Sequence, residues 1–217
     1  MKIYPSLLAA PVFEIYSAVQ DLDPSVPGYH IDIMDNHFVP NIGFNLDFVH
    51  ALDKITSKPL WLHLMVTDPL SLIERLKVSR PCLISIHIEA PCNHTYVLHE
   101  IKTQGHIPSL ALNPQTQVDL VYPFGRSVNN VLIMGVNPGF SGQEFIPETI
   151  DKLSTLSNWK YQNNFDCSLA VDGGVNPHHF KDLMLAGAHI CVVGSALFNH
   201  APFGPTYCNF IEKLRRS

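Results

Sequence analysis

No stretch of this chain is apolar for long enough to cross a membrane as a helix, which takes about 18 or more consecutive apolar residues; its apolar runs are strand length. Basic charge is scarce as well. Fourteen lysines and arginines stand against 19 acidic residues, a net charge of −5, and without a basic footprint DNA and RNA are excluded as partners. Paired cysteines are missing: Cys82, Cys92, Cys167, Cys191 and Cys208 are odd in number and none belongs to a C-x-x-C motif, which predicts buried, reduced thiols. The start, MKIYPSLLAAP, places a Lys before an apolar stretch. That stretch is short, holds Pro5 and Ser6 and lacks a small-residue cleavage site, so a mature cytosolic start and a cytoplasmic protein are expected. Linkers, low-complexity segments and blocks of charge are absent too, and 217 residues suit one domain over 1–217.

What is present is an alternation. β-like runs begin near Ile3, Tyr29, Leu60, Cys82, Ile107, Asn130, Cys167 and Ala188, and between most of them lie amphipathic stretches such as NLDFVHALDKI, PLSLIERLKV and HHFKDLMLAG. Strand and helix in this order predict parallel strands with right-handed crossovers. Eight of them close an α/β fold, a single (β/α)8 TIM barrel of parallel strands. The rival is an open doubly wound sheet, yet no G-x-G-x-x-G follows the first strand. Local signals agree. Asp68-Pro69 marks one helix start, Pro147 sits in the first turn of another with Glu148 at its positive end, and Gly187 closes a helix before the last strand.

Four polar residues interrupt the apolar runs. His30 and Asp32 in YHIDIM, His63 in LWLHLMV and Asp172 in SLAVDGG occupy positions where Val or Leu is expected. A buried charge without a partner is too costly to keep, so something must be paired there. His30 and Asp32 are two apart and project from one strand face. Two imidazoles and two carboxylates suit one divalent metal, such as zinc, iron, manganese or cobalt, and the same set supplies two carboxylates for proton chemistry. All four lie toward the C-terminal ends of strands two, three and seven, where barrels of this class carry their function. His87 and Glu89 in LISIHIEA form a second same-face pair. It reads as a support behind the site or as a hydrogen-bonded pair inside the barrel, and the spacing alone favours the latter.

Glycine marks a second region. NPGFSGQEF, with Gly139, Phe140, Ser141 and Gly142, is a glycine-rich loop long enough for a lid, in which backbone amides can come close to a ligand. Gly173-Gly174 follows Asp172, and Gly194-Ser195 opens a short helical turn, SALF, after the last strand. Loops after strands seven and eight with a short extra helix form the recurrent phosphate site of such barrels. No Lys or Arg belongs to these segments, so the expected grip is amide dipoles and the Ser195 hydroxyl. Met34, Met65 and Met134 fall at the expected mouth, where they would give a soft, dry wall.

Taken together, these residues resemble the ribulose-phosphate 3-epimerase family. The similarity runs through PSLLAA, HIDIMDNHFVPNIGF, HLMVTDP, HIEA, ALNPQT, VLIMGVNPGFSGQEFIP, VDGGV and VVGSALF, nearly the whole chain. The resemblance implies a (β/α)8 metalloenzyme that interconverts D-ribulose 5-phosphate and D-xylulose 5-phosphate through an enediolate. It implies metal ligands at His30, Asp32, His63 and Asp172, with zinc the first choice. It puts acid/base groups at Asp32 and Asp172, a substrate serine at Ser6, and phosphate contacts at 139–142, Gly173, Gly174, Gly194 and Ser195. Substrate contacts extend to His63, Met34, Met65 and Met134. The expected partner is a phosphorylated ketose and the expected assembly a homo-oligomer. Asn36, Ala9, Pro11, Gly135 and Ser141 depart from the family pattern, although none removes a ligand or a base. A residue as small as Gly135 is expected to add room at the mouth, which leaves a six-carbon ketose phosphate such as allulose 6-phosphate as the alternative substrate. A non-catalytic sugar-phosphate-binding relative is the reading from another class, and the four intact residues oppose it. A Schiff-base aldolase would want a Lys at a strand end, and none is there.

Overall fold

In the computed structural model, which describes residues 1–199, eight parallel strands follow the eight apolar runs. They are β1 (Lys2–Pro5), β2 (Tyr29–Met34), β3 (Leu60–Met65), β4 (Leu83–His87), β5 (Ile107–Leu112), β6 (Asn130–Met134), β7 (Ser168–Asp172) and β8 (Ile190–Val193). Each pairs with its neighbours in the order β1-β8-β7-β6-β5-β4-β3-β2. A parallel bridge between Ser6 and His30, just past β1 and at the start of β2, brings the two ends round, and the sheet is a (β/α)8 barrel. Among the cysteines, Cys82, Cys92, Cys167 and Cys191 are free thiols, while Cys208 lies outside the described residues.

Helices α1 (Ile15–Leu22), α2 (Leu46–Ile55), α3 (Pro69–Arg75), α4 (His94–Thr103), α5 (Thr149–Gln162), α6 (Phe180–Leu185) and α7 (Ser195–Phe198) fill the connections. Their starts follow capping chemistry. The Asn45, Asp68 and Asn93 side chains accept the backbone N–H groups of Phe48, Ser71 and Tyr96, satisfying donors that a first turn leaves open. Pro69 takes the first position of α3, where a missing N–H is harmless. One boundary shifts from expectation. α5 begins at Thr149 with Glu148 as its cap, so Pro147 stays outside the helix. Between β5 and β6 the connection is a 3-10 segment, Val118–Phe124, in which Pro123 cannot donate a helix hydrogen bond.

The strands are buried on both faces. Residues such as Ile31, Ile33, Leu62, Leu64, Ile84 and Ile86 face the helix layer and join the main apolar core. Their inward neighbours are of two kinds. Trp61, Ala111, Leu132, Ala170, Ile190 and Val192 pack apolar surface inside the barrel. Alongside them runs a polar chain. Trp61 Nε1 donates to Ser85 Oγ at 2.8 Å, Ser85 to Ser109 Oγ at 2.7 Å, Ser109 to Asn130 Oδ1 at 2.9 Å, and Asn130 Nδ2 to Ser168 Oγ at 2.9 Å. It follows lateral register across β4, β5, β6 and β7, where Ser85 pairs with Ser109, Ser109 with Asn130 and Asn130 with Ser168. Every donor finds an acceptor, which is the condition on which polar groups survive in a dry interior.

Ser109 is the middle link of that chain. Ser109→Ala should leave the Ser85 hydroxyl and the Asn130 carbonyl unpaired and lower the unfolding free energy by about 1–3 kcal/mol in urea, with an unchanged m-value. A midpoint equal to that of the parent protein would show that the chain contributes nothing to stability.

Candidate metal and substrate site

Strand register brings the four polar residues together. Asp32 pairs laterally with His63 across β2 and β3, and Asp172 is the last residue of β7. His30 Nε2 lies 3.2 Å from Asp32 Oδ1, 3.3 Å from Asp172 Oδ2 and 3.4 Å from His63 Nδ1. His63 Nδ1 lies 3.0 Å from Asp32 Oδ1 and 3.5 Å from Asp172 Oδ2. One nitrogen or oxygen from each residue thus falls within 4.8 Å of all the others. Four donors placed tetrahedrally about 2.0–2.2 Å from a metal stand about 3.3–3.6 Å apart. The spacings and the donor set therefore fit one divalent ion. His30 Nδ1, on the far side of its ring, is buried with no hydrogen-bond partner among the described residues. That ring is held instead by edge-on packing against Trp61, 4.9 Å away.

The charges in this cluster are mutually dependent. Burial alone would drive the carboxylates neutral, yet the His30 charge and hydrogen bonds from His30 and His63 hold Asp32 far below the usual carboxylate range. Asp172 is lowered against burial by the same two histidines. Conversely, burial opposes a proton on His30, and Asp32 and Asp172 overcome it, pushing its pKa up to about 10. His63 is raised too, with burial outweighed by bonds to Asp172 and Asp32. Cations thus belong where the four residues meet, whether protons or a metal.

Behind His63 the second same-face pair continues the network. His63 Nε2 lies 2.8 Å from His87 Nε2, and His87 Nδ1 lies 3.0 Å from Glu89 Oε2. Burial pushes the fully enclosed His87 down to about 4. Glu89, despite its burial, is lowered to about 2 by bonds from His87, Thr116 and the Asn113 N–H.

Above the cluster a cavity opens at the C-terminal ends of the strands. It is lined by Ser6, Met34, Met65, Met134, Gly139, Phe140, Ser141, Gly142, Gly173, Gly174, Gly194 and Ser195, with Asp32 and Asp172 in its floor. All of these were singled out from the sequence. His63 is the exception among the expected substrate contacts: its ring is fully buried and does not line the cavity. Ser6 Oγ donates to Asp32 Oδ2 at 2.8 Å, leaving Oδ1 to the histidines. Among the described residues, no lysine or arginine reaches the cavity wall.

Glycine is required where the wall is closest. Gly173 and Gly174 have φ of 101° and 67°, and a Cβ on Gly174 would lie 2.6 Å from the backbone of Phe145. Gly135, by contrast, does not enlarge the mouth as expected. A Cβ there would meet Gly173 O at 2.5 Å and the Phe145 ring at 2.8 Å, so the space is already filled. Asn36 does take a left-handed conformation, φ 60°.

Several contributors were not legible in advance. Asp35 ties the loop after β2 to the loop after β3, accepting N–H bonds from His37, Phe38 and Thr67 and the Thr67 hydroxyl. The Asn41 Nδ2 donates to Gly139 O at 2.6 Å, and the Gln143 Nε2 donates to Asn137 O and Phe140 O, so the glycine loop is braced from both sides. Leu8, Val136, Pro138, Val175 and Val192 also line the cavity as ordinary apolar residues with no chemical signature.

Residues 2–198 match the Ribulose-phosphate 3 epimerase family. The chain belongs to this family. Its relatives include the ribulose-phosphate 3-epimerase of Synechocystis, 34% identical over 99% of this chain and 93% of that protein. The Bacillus subtilis ribulose-phosphate 3-epimerase is also 34% identical, over 93% of this chain and 94% of its own length. The family is one of carbohydrate epimerases, and this chain is accordingly an enzyme of that kind. Among solved structures, 3-hexulose-6-phosphate synthase superposes with a TM-score of 0.69 at 12% identity, over 100% of this chain and 99% of that one. A tryptophan synthase α-subunit from Pyrococcus furiosus superposes with a TM-score of 0.70 at 17% identity, over 100% and 98%. At such identities these two likenesses speak for the barrel alone.

Removing one donor tests the metal fit. His63→Ala should retain the far-UV circular dichroism of the parent protein while losing most of its capacity for a divalent ion in equilibrium dialysis with zinc or cobalt. Undiminished capacity in that variant would show that the four residues do not form a metal site.

Proposed function

We propose that this chain inverts C3 of D-ribulose 5-phosphate to give D-xylulose 5-phosphate, using a divalent ion held by His30, Asp32, His63 and Asp172. One observation carries the reading: two buried carboxylates and two buried imidazoles converge beneath a cavity whose far wall is glycine backbone, with no cationic side chain among the described residues. Zinc is the first choice of metal, because four nitrogen and oxygen donors at these spacings suit its tetrahedral preference. When bound, the ion supplies positive charge to the ketone and the neighbouring hydroxyl oxygen, lowering the cost of the enediolate.

The chain's own residues do the remaining work. Epimerisation needs a proton taken from one face of C3 and another delivered to the opposite face. Asp32 on β2 and Asp172 on β7 both reach the cavity floor from strands three places apart around the barrel. A ketose lying between them presents its two faces to different carboxylates, so one acts as base while the other acts as acid. The Ser6 hydroxyl orients Asp32 through Oδ2. Met34, Met65 and Met134 keep water from the carbanionic carbon. Backbone amides around Gly173, Gly174, Gly194 and Ser195, with the 139–142 loop, receive the phosphate, which suits an enzyme of net charge −5. The enzyme is read as a cytoplasmic homo-oligomer folded as one domain.

Phosphate and metal ends fix the length of substrate between them. Phe145 and Gly173 fill the space beside Gly135, which favours the five-carbon ketose over allulose 6-phosphate. An apolar pocket rejects an added hydroxyl-bearing carbon by about 10- to 200-fold, and a kcat/KM ratio within that range is expected for the two substrates. A higher kcat/KM for allulose 6-phosphate would reassign the substrate.

Two carboxylates imply exchange with solvent. In deuterated water the product should carry deuterium at C3, and Asp172→Asn should lower kcat by at least about 10²- to 10⁴-fold, with metal content measured in parallel. Retention of the substrate's own C3 hydrogen in the product would refute transfer by two separate groups.

A further inference from the structure

Glu89 touches neither the cavity nor the metal cluster, yet its contacts determine which nitrogen of His63 is available to a metal. We propose that Glu89 is a positioning residue that acts through His87, holding His63 with its Nε2 protonated and its Nδ1 lone pair directed into the four-residue cluster. The inference rests on the metal reading above and adds to it a group that the reaction does not otherwise use.

The argument is one of donors and acceptors. His63 and His87 face each other through Nε2 at 2.8 Å, a separation at which one nitrogen must carry a proton and the other must accept it. Nothing in that pair decides which. The decision comes from the next link, where His87 Nδ1 sits 3.0 Å from Glu89 Oε2. An ionised carboxylate only accepts, so the His87 proton lies on Nδ1 and its Nε2 is bare. His63 Nε2 must then donate, which frees His63 Nδ1, the atom 3.0 Å from Asp32 and 3.4 Å from His30 Nε2. A carboxylate behind a ligating histidine fixes the tautomer of that histidine in the same way here, but across an intervening imidazole.

Glu89 is itself fixed. Its other oxygen, Oε1, accepts the Asn113 backbone N–H at 2.7 Å and the Thr116 hydroxyl. A backbone N–H can never become an acceptor, and this makes Glu89→Gln an informative change. The amide must turn its oxygen toward Asn113 and Thr116, so its NH2 faces His87 Nδ1. His87 then accepts at Nδ1, carries its proton on Nε2 and donates to His63 Nε2. The proton of His63 moves to Nδ1, between the imidazole and Asp32 Oδ1, where it obstructs the metal. An isosteric substitution that leaves the cavity untouched thus reverses every bond of the chain.

The test uses the full-length protein. In metal-free parent protein, 15N-edited NMR of His87 should show a protonated Nδ1 and a bare Nε2, and in Glu89→Gln the two should exchange. Zinc or cobalt affinity, measured by competition with a chelator of known affinity, should fall by about 10- to 100-fold in Glu89→Gln. Thr116→Ala, which loses a bond to Glu89 but keeps its carboxylate, should lose only a small fraction of that affinity. The proposal is overturned by parent His87 protonated on Nε2, by Glu89→Gln binding metal like the parent, or by Thr116→Ala losing as much as Glu89→Gln. Should the parent bind no divalent ion, the metal reading fails, and the metal-free His87 spectrum still decides the proton order.

Discussion

Two carboxylates and two imidazoles are enclosed in the barrel with almost no access to water, and everything else around the site is arranged to make that affordable. Isolated, each buried charge would cost several kcal/mol or neutralise itself. Together they compensate one another, since Asp32 and Asp172 draw positive charge, proton or metal, to the place where they meet His30 and His63, and that charge keeps the carboxylates ionised. The balance is positional. A shift of β2 by one residue against β3 would turn His30 and Asp32 outward into the helix layer and bring Ile31 and Ile33 inside, so the parallel register from Tyr29–Leu60 to Met34–Met65 is a precondition of the chemistry.

The barrel's interior is accordingly graded along its axis. Toward the N-terminal ends the space is filled by Trp61, Leu132, Ala170 and Ile190 and by the hydrogen-bonded chain through Ser85, Ser109, Asn130 and Ser168. Toward the C-terminal ends inward positions carry Asp32 and Asp172, with His30 and His63 buried beneath them, and then the methionines and glycines of the cavity. Trp61 belongs to both regions, donating to Ser85 through its indole N–H while its ring supports the edge of His30. The packing that stabilises the barrel is thus the packing that orients a ligand histidine. Loops divide the remaining work: Asp35 joins the β2 and β3 loops, and Asn41 and Gln143 hold the glycine loop over the cavity.

How much of this was legible in the sequence depended on whether a residue violated its local pattern. His30, Asp32, His63 and Asp172 stood out because charge in an apolar strand demands a reason, and the strands themselves emerged from the periodic alternation with amphipathic segments. Ser85, Ser109 and Asn130 did not stand out, since a single small polar residue in a strand is compatible with either face. Asp35 did not stand out either, because its four donors come partly from a loop some thirty positions away, a pairing that no local window contains. Gly135 was misread for a related reason: a missing side chain signals free space only when nothing else fills it, and Phe145 from ten residues on does. Pro147 was placed inside α5 by a rule that fixes helix starts only to within a residue or two.

Among the described residues, the absence of lysine and arginine from the cavity follows from the same electrostatic constraint. A cationic side chain beside the cluster would compete with His30, His63 and a metal for the two carboxylates, loosening the arrangement that makes them reactive. Backbone amides attract an anion without carrying a full charge, and they cannot migrate toward Asp172, which directly precedes Gly173 and Gly174 in sequence. Glycine at those positions permits backbone angles of positive φ and tight packing, of Gly173 against Val136 and of Gly174 against Phe145, conditions under which any side chain would clash. The electrically neutral wall and the charged floor are therefore two consequences of one constraint, the need to keep cations for the centre of the site.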